Sequence, residues 1–599
     1  MKIILPAALS LLALAGVLGA ESAPRPASPA AQASAAPAVK PGEEDFHAMD
    51  ERFRASYYYA ASQWAILNGA GEEAVLLQKR ALEHDPRSRY LHTELAETLL
   101  DMGEVKQATG VLKEAAAQDP ADADLRVKLG ALYVEQDDAE SAQRSYQEAV
   151  KLDPDNLEAV RSLAALDMLR RRYHEALDLL RGALKRHPRS ASCRLEMARC
   201  LGSLNRGREA GKEYRAVISQ QPDLLNAYFQ LGLLQETQGR PLTAVETYCQ
   251  GLSRDPDNLA LSSAAAHAVY RAGDWTWAGQ MFSDMLKERP DLQDARLYRG
   301  LCRLQLSDWK GAEDDFRSLS DTAKGMQVAR LYGLGVALSQ QGRFGQAEDA
   351  FYQALSRNAG AEPVYAQLAS VFEQTSRTAR AIQVLKQGLE ANPDSDDLRS
   401  LLASGLRDEK RFSEAEEVLK QGLKGAKPGT GLRFELAVTY DKAGQFPKAE
   451  RELEKVIRDN PRQAEALNYL GYSWADRGVK LGRAEGLLKR AVKLQPNNPY
   501  FLDSLGWDYF KQGKLRQAAR ELSKATSLLK GDRDPEDAVI FKHLGEVYSR
   551  IGRAGDSRRQ FLRAVELDPS DKALRARLGL PPLGEAVSTP GGVSGTSRE

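Results

Sequence analysis

Alanine stands at Ala74, Ala108, Ala142, Ala176, Ala210, Ala244, Ala278 and Ala312, each 34 residues after the last, and proline keeps the same step from Pro86 through Pro120, Pro154, Pro188, Pro222 and Pro256 to Pro290. Two residue types locked in one phase mean that the chain repeats a single unit. That unit needs a small side chain where two elements touch and a stop before the next copy begins. With single insertions allowed, the phase continues through Ala347, Ala381, Ala415, Ala449, Ala484 and Ala518, and Ser557 takes the place in the last copy. About fifteen copies run from Ala55 to about Asp571.

The copy beginning at Ala123 shows the chemistry of the unit. Leu129, followed by Gly130, lies one helical turn before Tyr133 on a first helix. After a turn at Gln136 to Asp138, Ala142, Tyr146 and Ala149 share a face of a second helix, and Pro154 ends the copy. Glycine recurs in the turn at Gly69, Gly103, Gly239, Gly273, Gly342, Gly444, Gly478, Gly513 and Gly552, where one helix must end and the next begin. This pattern resembles the tetratricopeptide repeat, W-x-x-L-G-x-x-Y, then A-x-x-x-F, then P, with the first Trp replaced here by Tyr58, Tyr228, Tyr365, Leu467 or polar Arg126. The resemblance implies an all-α, right-handed superhelical solenoid of about fifteen helix-turn-helix repeats. It also implies a concave wall, lined by the first helices, that holds segments of other proteins.

Composition agrees with a helical array, at 43% hydrophobic and 28% charged residues. Lys plus Arg and Asp plus Glu each number 83, so no net field draws the chain to nucleic acid. Arg170 to Arg172 reads as a solvated turn between two helices. Residues 55–292 form a regular block of seven repeats, 293–429 a less regular block of four, and 430–571 a C-terminal block of four. A capping helix and stop follow at 572–583. Glycines from Gly425 to Gly431 mark either a hinge or an irregular loop, and extra residues lengthen the join from Gly531 to Asp537.

Met1 and Lys2 precede an apolar run from Ile3 to Leu18, which reads as a signal peptide over residues 1–20. An uncleaved anchor is the rival reading. Residues 21–44, rich in Ala, Pro and Ser, form a disordered spacer, and 584–599 a disordered tail. The expected location is periplasmic or secreted, with no integral membrane span once the signal is removed.

Enzyme chemistry finds no motif. The histidines His47, His84, His92, His174, His187, His267 and His543 fall in different repeats, and there is no H-E-x-x-H, G-x-S-x-G or G-x-x-x-x-G-K. Gly333 and Gly335 imitate a phosphate loop, but Gly335 stands at the repeat's own glycine position. No cofactor or metal is expected. Cys193 and Cys200 sit about 10.5 Å apart on one helix, too far to bridge, and with Cys249 and Cys302 read as small packing residues. His267 is the one histidine at an expected concave place, with Tyr270 and Arg271 near it.

Taking places 2, 5, 9, 12 and 13 of each first helix as concave singles out the thirteenth and fourteenth copies. There these places, with Asp476, gather Asn468, Tyr472, Tyr500, Asp503, Trp507 and Phe510. Aromatic platforms beside an amide and a carboxylate suit an extended peptide. The expected activity is therefore non-catalytic protein binding, as a scaffold or adaptor in the cell envelope. The stretch from Asn468 to Phe510 also resembles segments of exported bacterial many-repeat tetratricopeptide proteins, among them adaptors that deliver substrates to a carboxyl-terminal processing protease. That resemblance implies such an adaptor as one alternative; an assembly component of an export or polysaccharide-secretion machine is another. The sequence leaves self-association and the partner's identity open.

Overall fold

The computed structural model describes residues 50–320, 325–424, 429–529 and 534–581. The signal and spacer readings, the core of the glycine-rich joint at 425–428, residues 530–533 and the tail lie outside them. Thirty-one α-helices and one short 3₁₀ turn make up the described residues, with no strand among them. They pair into fifteen hairpins, the first being Glu51–Leu67 with Gly71–His84 and the last Ala538–Ile551 with Ala554–Leu567. Two compact units divide them between residues 320 and 325, eight hairpins in the first and seven in the second.

The repeated alanine sits where two helices cross, and at most of these positions it is completely buried, as at Ala74, Ala142, Ala244, Ala347 and Ala518. The repeated glycine does the complementary job. A Cβ built on Gly335 would lie 2.5 Å from Cε1 of Phe351, and one on Gly545 2.5 Å from Cε1 of Phe561. Only glycine lets the ring sixteen residues onward lie flat against the first helix. In the last hairpin Ser557 replaces the alanine and its Oγ donates to the Gly545 carbonyl at 2.8 Å, so the buried hydroxyl is satisfied.

Each hairpin turns through a left-handed residue at one fixed place, and the thirteenth adds a second at Lys480. The nine glycines of the sequence pattern all have positive φ, between 68° and 89°. In the other six hairpins the same place is held by Asp137, Arg171, Asn205, Ser307, Ser376 and Lys410, at φ between 57° and 62°. Arg171 thus forms the turn within the basic triplet, and Arg172 pairs with Asp167 at 2.8 Å. First helices often begin on a side-chain cap: Ser88, Asp122, Asn156, Ser190, Asn258 and Ser395 each accept the amide N–H three residues on.

In four of the hairpins where the motif's tryptophan is replaced, the substitute ties the joint. Arg194 donates to the Pro188 carbonyl at 2.7 Å and Arg296 to the Pro290 carbonyl at 2.6 Å. Arg399 reaches the Pro393 carbonyl in the same way, and the Tyr365 hydroxyl donates to the Ala359 carbonyl at 3.0 Å. Each bond spans six residues from helix back to joint, exchanging an aromatic plug for a hydrogen-bonded strap. Cys193, Cys200 and Cys302 are buried free thiols, as packing residues would be, whereas the Cys249 residue is exposed. A helix at Lys572–Leu578, capped by Asp571 and ended by left-handed Gly579, lays Leu574 and Leu578 against Phe561 and Val565 of the last hairpin.

Candidate functional site

Within the second unit, the first helices of hairpins thirteen to fifteen, Ala464–Asp476, Pro499–Lys511 and Ala538–Ile551, stand in order. Residues at matching heights therefore meet across hairpins. Trp507 is the centre of what they build. Its indole stacks on Phe510 at 4.9 Å and on the His543 ring at 3.9 Å, both within 15° of parallel. The indole Nε1 donates to Asp476 Oδ1 at 3.2 Å. The Lys511 ammonium donates to the Asp476 carbonyl at 2.8 Å and lies 5.0 Å from the indole centroid. Four neighbours thus fix the plane of a half-buried tryptophan.

Asp503 departs from the sequence expectation: it is not an exposed carboxylate on the wall but buried, its Oδ1 2.9 Å from Nδ1 of equally buried His543. The reason is that His543 enters from the next hairpin and closes over it. Neither group could lie there without the other at modest cost, since an unpaired buried charge is strongly destabilising. His543 is thus a member of the cluster that the sequence reading missed, because its partner is 40 residues away.

The remaining residues keep more exposure. Tyr500 is 44% exposed, and its hydroxyl donates to Asp537 at 3.0 Å. Tyr472 is half-buried; burial, with the Asp476 and Asp503 carboxylates nearby, pushes its phenol up to about 12, so it is a donor at neutral pH. Asn468 is half-buried too, and its Oδ1 has no hydrogen-bond partner. Tyr469, also missed by the sequence reading, donates to Asp441 at 2.9 Å and meets Phe434 edge-on. The result is a wall of ordered rings, with the Asn468 Oδ1 buried and unpaired behind it.

His267 in the first unit is a packed residue. Its Nδ1 lies 2.7 Å from the Ser263 carbonyl and Nε2 3.0 Å from Asp294, with Phe282 and Tyr298 edge-on to the ring. Gly335 packs against Phe351, which accounts for the second glycine of the pair. Among the described residues no group of histidine, cysteine and carboxylate side chains could hold a metal, and no helix is long and apolar enough to cross a membrane.

Helix pairs at a 34-residue step, nested through a buried alanine and a ring-on-glycine contact, define a repeat protein of the helical-hairpin class. Models of the tetratricopeptide repeat match residues 105–166, 168–233, 225–258, 263–325, 338–405, 434–499 and 504–572, more than half of the chain together. The chain belongs to the tetratricopeptide repeat proteins. It is 44% identical over 96 residues to a TPR repeat-containing protein of Pseudomonas aeruginosa, a match covering 16% of this chain and 15% of that one. It is 31% identical over 112 residues to cellulose synthase operon protein C of Pseudomonas fluorescens, covering 19% and 9%. The matches thus span under a sixth of either relative. Among solved structures it is similar to one chain of the APC/C hetero-tetramer Cut9-Hcn1, at 15% identity and TM-score 0.35 over 76% of this chain and 89% of that one. A tetratricopeptide repeat protein from Parabacteroides merdae matches at 19% and 0.35, over 42% and 98%.

Proposed function

We propose that this chain is a non-catalytic scaffold of the cell envelope that holds an extended segment of a partner protein against the wall of hairpins thirteen and fourteen. The observation that carries the reading is the fixed Trp507. Stacked on Phe510 and His543 and bonded to Asp476, it presents its ring without losing rotamer freedom on binding. Tyr500 supplies an exposed ring nearby. The apolar run from Ile3 to Leu18 supports export, with the periplasm or the exterior as the location.

Crosslinking in cells would identify the partner, and calorimetry its affinity. Trp507→Ala with Tyr472→Ala should weaken that affinity at least thirtyfold, as for a buried aromatic anchor worth about 2 kcal/mol. Helicity should stay unchanged. Equal affinity in the double variant would remove the site.

The alternative roles divide by assay. An adaptor of an envelope processing protease should speed substrate turnover when added to that protease. The relative named for a cellulose synthase operon favours an assembly role in polysaccharide secretion, in which case deletion should lower exported polysaccharide and leave protease turnover alone.

A further inference from the structure

The chain as a whole is balanced, with 83 Lys and Arg against 83 Asp and Glu, yet its charge is not spread evenly over the hairpins. The second helices of the first twelve hairpins carry 23 Lys and Arg and 26 Asp and Glu. Those of the last three, Leu481–Leu494, Leu515–Leu528 and Ala554–Leu567, carry ten and four. All ten cations are exposed, whereas three of the four carboxylates, Glu485, Glu521 and Asp556, are half-buried.

The packing of each helix explains where the cations stand. Ala484, Leu488 and Ala491 turn inward, and Ala518, Leu522 and Ala525 do the same one hairpin on. The outward side is left to long side chains, and Arg490, Lys524 and Arg563 recur there, each six residues after the small residue at the crossing. Half of the ten meet no carboxylate. Arg490 and Lys524 donate to the carbonyls of Pro461 and Pro496, at 3.0 Å each, which leaves their charge uncompensated. Lys493, Arg516 and Arg558 have no hydrogen-bond or ion-pair partner among the described residues.

No exposed large apolar side chain lies on these three helices, so the face has no ring on which a base could stack. What it has is charge spread over three helices side by side. A sheet of anionic headgroups meets all three at once and needs no fixed register, whereas a single strand meets one line of them. We infer that the second helices of hairpins thirteen to fifteen form a docking face for an anionic phospholipid surface. The face is independent of the wall near Trp507, which lies on the first helices of these hairpins and would be turned away from the lipid.

The test is flotation of the full chain with vesicles of phosphatidylcholine alone and with vesicles that also hold about 30% phosphatidylglycerol. Neutral vesicles report every uncharged contact, the apolar run from Ile3 to Leu18 included, and the increment on anionic vesicles reports charge. One Lys or Arg near an anionic surface multiplies partitioning about fivefold. Lys493→Gln, Arg516→Gln and Arg558→Gln together should therefore lower the increment at least tenfold, with helicity unchanged. Raising salt from about 0.1 M to about 1 M should do the same, because the screening length falls from about 10 Å to about 3 Å. Lys106→Gln, Lys185→Gln and Lys212→Gln remove as many exposed charges from second helices of the first unit and should leave the increment intact. A chain without preference for anionic vesicles would overturn the inference, as would a face variant that keeps the preference or a control variant that loses as much. A chain that binds polyglutamate or duplex DNA and leaves anionic vesicles alone would assign the face to a soluble polyanion and overturn it too.

Discussion

Replacing Gly335 by alanine tests the contact on which the hairpins are built. The helix Gln327–Gln340 passes so close to Phe351 that a new Cβ would lie 2.5 Å from Cε1 and 2.8 Å from both Cδ1 and Cζ. Carbon atoms rest at about 3.5 Å or more, so the ring or the helix must give by roughly 1 Å. Phe351 is completely buried, so the ring has little room to retreat. Overpacking of this kind costs about 1–3 kcal/mol, while alanine in place of glycine inside a helix returns about 1 kcal/mol. A net loss of up to about 2 kcal/mol is expected. Gly486, in the helix Leu481–Leu494 with nothing within 4 Å of a built Cβ, supplies the control and should gain about 1 kcal/mol on the same change. In a Phe351→Ala background the ring is gone, and Gly335→Ala should become favourable by the same amount. The coupling between the two positions is then about 1–3 kcal/mol. Because a long repeat array does not unfold in one step, the readout is amide hydrogen exchange in the two helices of the ninth hairpin, supported by urea unfolding. The argument fails if Gly335→Ala stabilises as Gly486→Ala does, or if the coupling falls below about 0.5 kcal/mol.

Ala244 is fully buried at the crossing of the sixth hairpin, and Ala244→Leu should cost about 1–3 kcal/mol, seen as faster exchange in that hairpin before any global loss. Asp315, 2% exposed, accepts from Arg299 at 3.0 Å and Arg303 at 2.7 Å; Asp315→Ala leaves two guanidinium groups without their carboxylate and should cost about 3 kcal/mol by urea unfolding. Burial pushes the carboxyl of Asp508 up to about 6, and its Oδ1 has no partner. A raised carboxyl favours the folded state when protonated, so its contribution is full below pH 4 and fades as pH rises through about 6. Asp508→Asn should therefore raise stability at pH 7 by up to about 2 kcal/mol and flatten the dependence between pH 4 and 7 in the second unit, measured by exchange at several pH values.

The alanine phase and the turn glycines located every hairpin of the described residues, because packing distance and backbone sign each admit few residue types. The six turns without glycine were legible only by counting: nothing in Asp137, Arg171 or Lys410 marks a left-handed residue until the neighbouring copies set the phase. The strap from Arg194 or Arg296 to a proline carbonyl was invisible for a different reason. An arginine at a tryptophan position reads as a loss of packing, and only coordinates show where the guanidinium goes. At the candidate wall, spacing placed Asn468, Tyr472, Tyr500, Trp507 and Phe510 on two first helices that neighbour each other. It could not foresee that His543 would cover Asp503, since one hairpin's pattern says nothing about which side chain the next one lowers onto it.

The distance along the chain between a repeated glycine and its ring is sixteen residues, as in Gly335 with Phe351 and Gly545 with Phe561. Nothing far away is needed to complete a hairpin. A polypeptide built so locally can acquire structure in the order in which it leaves a ribosome or emerges from a narrow channel, each new segment resting on the one before it. If the chain is exported as proposed, each hairpin that forms on the far side would oppose backward slippage of the segment behind.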